Sequence, residues 1–227
     1  MRILLIDNNI MPSCWGSEDL RRVLRNFPGI LTVVRRGPHD DFPVEPSGYD
    51  SVLISGSLTS ILEEAPWIDR MKDLIRFLHS KSIPTLGVCF GHQIIARTFG
   101  GMSSVRRTEA PEFGWTSIHQ VLASPLLEGI PKNFYSFTSH YDEVSSLPEE
   151  FERVAESKDC PIQAFQLKSA PMFGIQFHPE KDLKDGEESY RSQLKKGEQR
   201  EFLNRRLGPK VYDEKIGIQI FKNALNL

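Results

Sequence analysis

Cysteine is scarce in this chain: Cys14, Cys89 and Cys160 are the only three in 227 residues. An odd, sparse set makes a poor disulfide framework and fits a reducing compartment, so a cytoplasmic setting is expected. No Cys-x-x-Cys pair is present and the six histidines are scattered, so no metal site is expected. A basic excess is also missing. Lys and Arg number 28 against 30 Asp and Glu, a net charge of −2 that argues against a nucleic-acid partner. No apolar run approaches the roughly 20 residues of a membrane helix, so no membrane partner is expected. The opening MRILLIDNN loses its apolar character at Asp7 and reads as a first β-strand, not a signal peptide. Neither a repeat nor a linker interrupts the chain, whose length suits one compact domain.

What is present is an alternation of strands and helices. The chain is 39% hydrophobic and 26% charged, enough apolar residue for a real core. Residues 2–7 form a buried-type strand. Ser17 opens a helix with Leu20, Val23, Leu24 and Phe27 on one face, ended by Pro28-Gly29. Strands follow at 30–34 and 51–55, then a helix from Pro66 with Ile68, Met71, Leu74, Ile75 and Leu78 inward. A strand at 82–88 leads into a short helix, 91–99. That order predicts an α/β fold, a single domain whose central, mostly parallel sheet is flanked by helices. Beyond residue 100, short β-like runs at 103–107, 114–122, 134–137, 142–146, 152–157, 162–167 and 172–177 predict added antiparallel strands. Ile216, Ile220, Ala224 and Leu225 mark a last helix.

The segment TLGVCFGHQ sets Cys89 between Gly87 and Gly91, where a strand turns into a helix. A nucleophile elbow requires small residues two before and two after the nucleophile, so that the sharp turn can lift its side chain off the sheet. The helix N-terminus there favours negative charge on sulfur and on a later oxyanion. Alone, Cys89 reads equally well as a small buried residue at a strand end. The segment GIQFHPE ends an apolar run at His178, and Glu180 follows at i+2. In extended backbone those two side chains share a face, so the carboxylate can fix the imidazole tautomer while the other ring nitrogen takes a proton. By itself, His178 reads better as a solvated loop residue.

Taken together and in this order, GVCFGHQ and GIQFHPE resemble the class I glutamine amidotransferase family, whose fold is flavodoxin-like. The resemblance runs from residue 2 to about 180 and includes the last helix. It implies that Cys89 attacks the side-chain amide of glutamine, that His178 is base and then acid, and that Glu180 orients His178. Gly56, in ISGSLTS after the third strand, and Phe90 would hold the oxyanion through their N–H groups. Gln93 would contact substrate glutamine, and His92 would be structural. Within SFTSHYDEV, Ser139, His140 and Tyr141 would bind the α-amino and carboxylate groups. The resemblance implies no cofactor. It implies glutamine or a γ-glutamyl compound as substrate and, for a partner, a separate ammonia-using synthetase subunit. A self-sufficient γ-glutamyl peptide hydrolase is the alternative. The chain departs from the family pattern at 181–214, a charged insertion before the last helix, read as a lid, docking element or mobile loop, or as a solvated surface excursion.

Overall fold

The computed structural model describes residues 1–11, 16–198 and 200–225, so Cys14 lies outside the described residues. Eleven strands and six α-helices follow one another through the described residues. The first half runs β1 (Arg2–Asp7), α1 (Ser17–Leu24), β2 (Leu31–Arg36), β3 (Ser51–Ile54), α2 (Pro66–Ser80), β4 (Thr85–Val88) and α3 (Phe90–Gly100). The second half adds β5 (Val105–Arg107), β6 (Phe113–Gln120), β7 (Asn133–Ser139), β8 (Asp142–Val144), β9 (Phe151–Glu156), β10 (Ala164–Leu167) and β11 (Met172–Ile175). Helices α4 (Leu183–Lys195), α5 (Gly208–Val211) and α6 (Glu214–Ala224) complete the chain.

Nine strands form one mixed sheet in the order β2-β1-β3-β4-β11-β10-β9-β6-β7. The run from β2 to β11 is parallel, and every pairing from β11 outward is antiparallel. This is the parallel core with antiparallel additions that the strand–helix order predicts. Strands β5 and β8 pair separately as an antiparallel ribbon.

The central strands carry apolar side chains on both faces because both faces are covered. Ile3 and Leu5 of β1 join a core with Leu20, Val23 and Leu24 of α1 and Ile220 and Phe221 of α6. Leu4 and Ile6 belong to the opposite core, with Ile68, Met71 and Ile75 of α2 and Ile94 and Ile95 of α3. A third, aromatic cluster joins Phe113, Trp115 and Phe137 to Leu183, Tyr190, Phe202 and Tyr212. Through it the charged insertion is built into the molecule.

Segment 181–214 therefore folds as a cap. Asp182 and Asp185 form a reciprocal capping box that starts α4. Asp185 is paired with Arg22, and Lys181 with Asp19, so α1 is tied at two points to the start of the cap. Farther along, the Leu203 N–H donates to the Phe113 carbonyl at 2.7 Å, and the Trp115 N–H donates to the Leu203 carbonyl at 3.0 Å.

The register of the sheet brings the two sequence motifs together. Strand β4 lies beside β11 with Val88 opposite Ile175. Cys89 comes one residue after Val88 and His178 three after Ile175, so both emerge at the carboxyl edge of the sheet, where α/β folds place their ligands. The turn there is crowded. A Cβ on Gly87 would meet the Gly91 carbonyl oxygen at 2.3 Å, and one on Gly91 would meet the Ile54 oxygen at 2.2 Å. Both obstacles are backbone and cannot rotate away. Gly91→Ala is therefore expected to cost about 1–3 kcal/mol, the range for forced overpacking, measured as a lowered urea midpoint; an unchanged midpoint would show that α3 can shift.

Candidate active site

Cys89 occupies the turn with φ 52° and ψ −103°, a backbone conformation that L side chains rarely adopt. Its N–H donates to the Ile175 carbonyl at 2.8 Å, which ties the strained residue to β11. Strain held by surrounding structure at a reactive side chain is the elbow geometry expected from the two glycines. Cys89 is buried yet lines a cavity. Its sulfur lies 3.9 Å from the Ser139 carbonyl oxygen.

His178 and Glu180 come together as the i, i+2 spacing suggests. The His178 Nδ1 lies 2.7 Å from Glu180 Oε1, with both side chains buried. The His178 N–H donates to the Phe137 carbonyl at 2.7 Å, fixing the backbone that carries the ring. Burial is the largest influence on the imidazole and disfavours its charge. The Glu180 carboxylate and the facing Cys89 sulfur, with their hydrogen bonds, outweigh it and raise the pKa from 6.5 to about 10. The imidazolium is thus the resting form at neutral pH.

Gly56 sits against both partners. A Cβ there would lie 3.2 Å from His178 Cε1 and 3.4 Å from Cys89 Cβ. Its loop is held by Asn8: the Asn8 N–H donates to Ser55 Oγ at 3.0 Å and the Asn8 amide donates to the Ser55 carbonyl at 2.8 Å. A recess of about 30 Å³, lined by Gly56, Cys89, His178 and Asn9 among others, is large enough for one water or one oxyanion. Phe90 is the first residue of α3, so its N–H belongs to the helix end that has no intrahelical acceptor. Its ring packs on Trp67 in the core, which leaves only the main chain to serve the site.

The other expected residues are distributed unevenly. The Gln93 amide donates to the Asp142 carbonyl at 2.6 Å and to Gln176 Oε1 at 2.9 Å, while the residue lines the cavity. The Tyr141 ring borders the cavity and its hydroxyl donates to Glu198 at 3.3 Å. His140 also lines the cavity. Its Nε2 lies 3.0 Å from Glu112 Oε2 and its carbonyl accepts from Arg200, so imidazole and carbonyl are both engaged. His92 is fully buried, stacked on Phe165, and burial lowers its pKa to about 3, so it stays neutral and structural.

Several site residues were not singled out from the sequence. Asn8 carried the signal of a polar residue directly after the first parallel strand, at the ligand-binding edge. Glu112, His140 and Cys160 converge within 4.8 Å in the interior. Both Glu112 oxygens are occupied, by the Ser157 hydroxyl on one side and by Gln163 and His140 on the other, so hydrogen bonds alone satisfy the carboxylate. Burial, reinforced by Glu112 and Glu143, pushes the Cys160 thiol well above its ordinary value. Arg106 and Arg107 are exposed, and each pairs with a buried carboxylate, of Glu143 and Asp142 respectively.

The main cavity holds about 770 Å³. Cys89, Gln93 and Ser139 line it, together with Ser189, Gln193 and Arg200 of the cap. That volume lies toward the upper end of the range, about 300–1,000 Å³, for small-molecule sites.

Comparison with known proteins agrees with this fold. A family model described as glutamine amidotransferase class-I matches residues 18–195. The glutamine-hydrolysing GMP synthase subunit of Pyrococcus abyssi is 38% identical over 180 residues, 79% of each chain. Its counterpart from Methanocaldococcus jannaschii is 39% identical over 120 residues, 53% of this chain and 63% of that relative. Among solved structures, a Thermotoga maritima glutamine amidotransferase superposes with a TM-score of 0.81 at 25% identity, covering 99% of this chain and 96% of that one.

The His178 pKa has a definite consequence. Because it is raised above the unfolded value of 6.5, its contribution to stability is fully present below that pH and is lost as pH rises through about 10. In Glu180→Gln, burial acts with less opposition, so the imidazole should titrate several pH units lower. An NMR titration of the ring protons would reveal this, and an unshifted curve would discount the carboxylate.

Proposed function

The chain belongs to the class I glutamine amidotransferase family, and on that premise we propose that Cys89, His178 and Glu180 are the groups with which it hydrolyses the side-chain amide of glutamine. The observation that carries the assignment is the strained Cys89 facing a His178 whose other ring nitrogen is held by Glu180 at 2.7 Å. The Cys89 sulfur attacks the amide carbon, and the oxyanion develops toward the main-chain N–H groups of Gly56 and Phe90. The His178 imidazolium gives its proton to the departing nitrogen as the C–N bond breaks, releasing ammonia and leaving a γ-glutamyl thioester. Water then attacks the thioester carbonyl while His178 takes a proton from it. The C–S bond breaks, and glutamate leaves. No cofactor enters these steps.

The ammonia acceptor is a separate synthetase subunit in this reading. Support comes from relatives named as glutamine-hydrolysing subunits of GMP synthase. Segment 181–214 belongs to the same single domain and acts as a wall of the substrate pocket. The size of that pocket favours a second reading, a self-sufficient γ-glutamyl peptide hydrolase, because about 770 Å³ is more than a glutamine side chain requires.

Purified protein should release ammonia from glutamine, faster when a GMP-forming synthetase is added. Cys89→Ala should lower the rate by about 10⁴-fold or more, as removal of a covalent nucleophile does. Turnover of a γ-glutamyl dipeptide in place of glutamine would move the assignment to the second reading. An unaffected Cys89→Ala would remove both.

A further inference from the structure

Among the charged residues that line the main cavity, Arg200 is unusual in its surroundings. Its guanidinium is sandwiched against two aromatic rings, 4.0 Å from the Tyr141 centroid and 5.0 Å from that of Phe113. Nη2 donates to the carbonyls of Glu112 at 2.7 Å and His140 at 2.9 Å, which locks the orientation of the plane. Nε is buried and has no hydrogen-bond acceptor. Among the described residues no carboxylate forms an ion pair with it. The other cations of the cavity differ: Arg107 is paired with Asp142 at 3.3 Å, and Lys196 is exposed to water.

A guanidinium in such a place is costly. Carbonyl dipoles and ring faces offset part of the lost hydration, but not the charge, so the site is completed by an anion. Burial lowers the Arg200 pKa, and neighbouring Tyr141, Glu198 and Cys89 act against that shift, which places the cation within electrostatic range of the reactive sulfur. With both Nη2 protons given to the two carbonyls, the group offers a carboxylate its positive charge and a charge-assisted hydrogen bond from Nη1. On the same wall Glu198 accepts from the Tyr141 hydroxyl at 3.3 Å, a negative neighbour suited to an ammonium group.

We infer that Arg200, from the insertion, is the carboxylate-recognising residue of the pocket, and that it selects substrates bearing an α-amino acid head group beyond the bond attacked by Cys89. This rests on the nucleophile reading of Cys89 given above. The cap thereby determines specificity: it carries to the pocket a cation without an ion-paired carboxylate, whereas Arg107 of β5 is paired with Asp142.

The test compares alkylation of Cys89 by a glutamine-shaped chloroketone with alkylation by its decarboxylated twin, followed by mass spectrometry of the intact protein. The unaltered chain should react faster with the carboxylate-bearing reagent. Arg200→Met should reduce that preference, read as the ratio of the two alkylation rates, by about 10- to 100-fold, the scale of a charge-assisted hydrogen bond. Arg200→Lys, which keeps the charge but not the fork, should retain part of the preference, and it keeps the test available should the methionine variant not fold. Equal slowing with both reagents would mean that Arg200 only braces the Glu112 and His140 carbonyls, and would overturn the inference. So would a preference that survives in Arg200→Met. Failure of both reagents to label Cys89 in the unaltered chain would overturn the nucleophile reading itself, and this inference with it.

Discussion

The closeness of α3 to the sheet is the constraint on which the rest of the site depends. Gly91 brings its backbone so near Ile54 that no β-carbon fits between them, and Gly87 faces Gly91 in the same way. Only at that separation can the chain leave β4 and enter α3 in a single residue, with Cys89 forced to a positive φ. The hydrogen bond from the Cys89 N–H to β11 then ties Cys89 to the strand that leads to His178. Strain at one residue is thus maintained by two buried parallel strands and two apolar cores, whose stabilisation is far larger than the strain they hold.

Electrostatics follow from that placement. His178 lies in the interior, where charge is expensive, yet it is held as an imidazolium because Glu180 and the Cys89 sulfur flank it. His92, in the first turn of α3, is equally buried and has no carboxylate beside it, so it stays neutral. Two histidines in comparable burial titrate on opposite sides of neutrality, and the difference lies in their neighbours. The same principle separates the arginines of the cavity wall. Arg107 forms an ion pair with a carboxylate, whereas Arg200 donates to carbonyls and lies against aromatic rings.

The parts of this arrangement that were legible in the sequence are those encoded locally. Apolar runs and helical spacing located the strands and helices of the first half, because burial on both faces of a parallel sheet leaves an unbroken apolar signature. Cys89 was marked by its glycines, and Glu180 by its two-residue distance from His178. Helix α4 was not legible, for a physical reason: its fully buried positions are Gly186, Ser189 and Gln193, and Leu183 and Tyr190, which pack on the aromatic cluster, are too widely spaced to mark a continuous apolar stripe. The Asp182–Asp185 capping box was the one local mark of its start. Glu112 and Arg200 acquire their surroundings through contacts across the fold, and nothing adjacent in the chain announces them.

Of the two cysteines described, Cys160 is sealed in the interior with its thiol held protonated, while Cys89 borders the open cavity. Oxidants and electrophiles entering that cavity therefore meet the chain at the same atom that the proposed mechanism uses against substrate. Chemical ageing and turnover compete for one sulfur. A molecule occupying the cavity shields the enzyme from damage for as long as it stays there, so the lifetime of the protein is coupled to how fully its pocket is occupied.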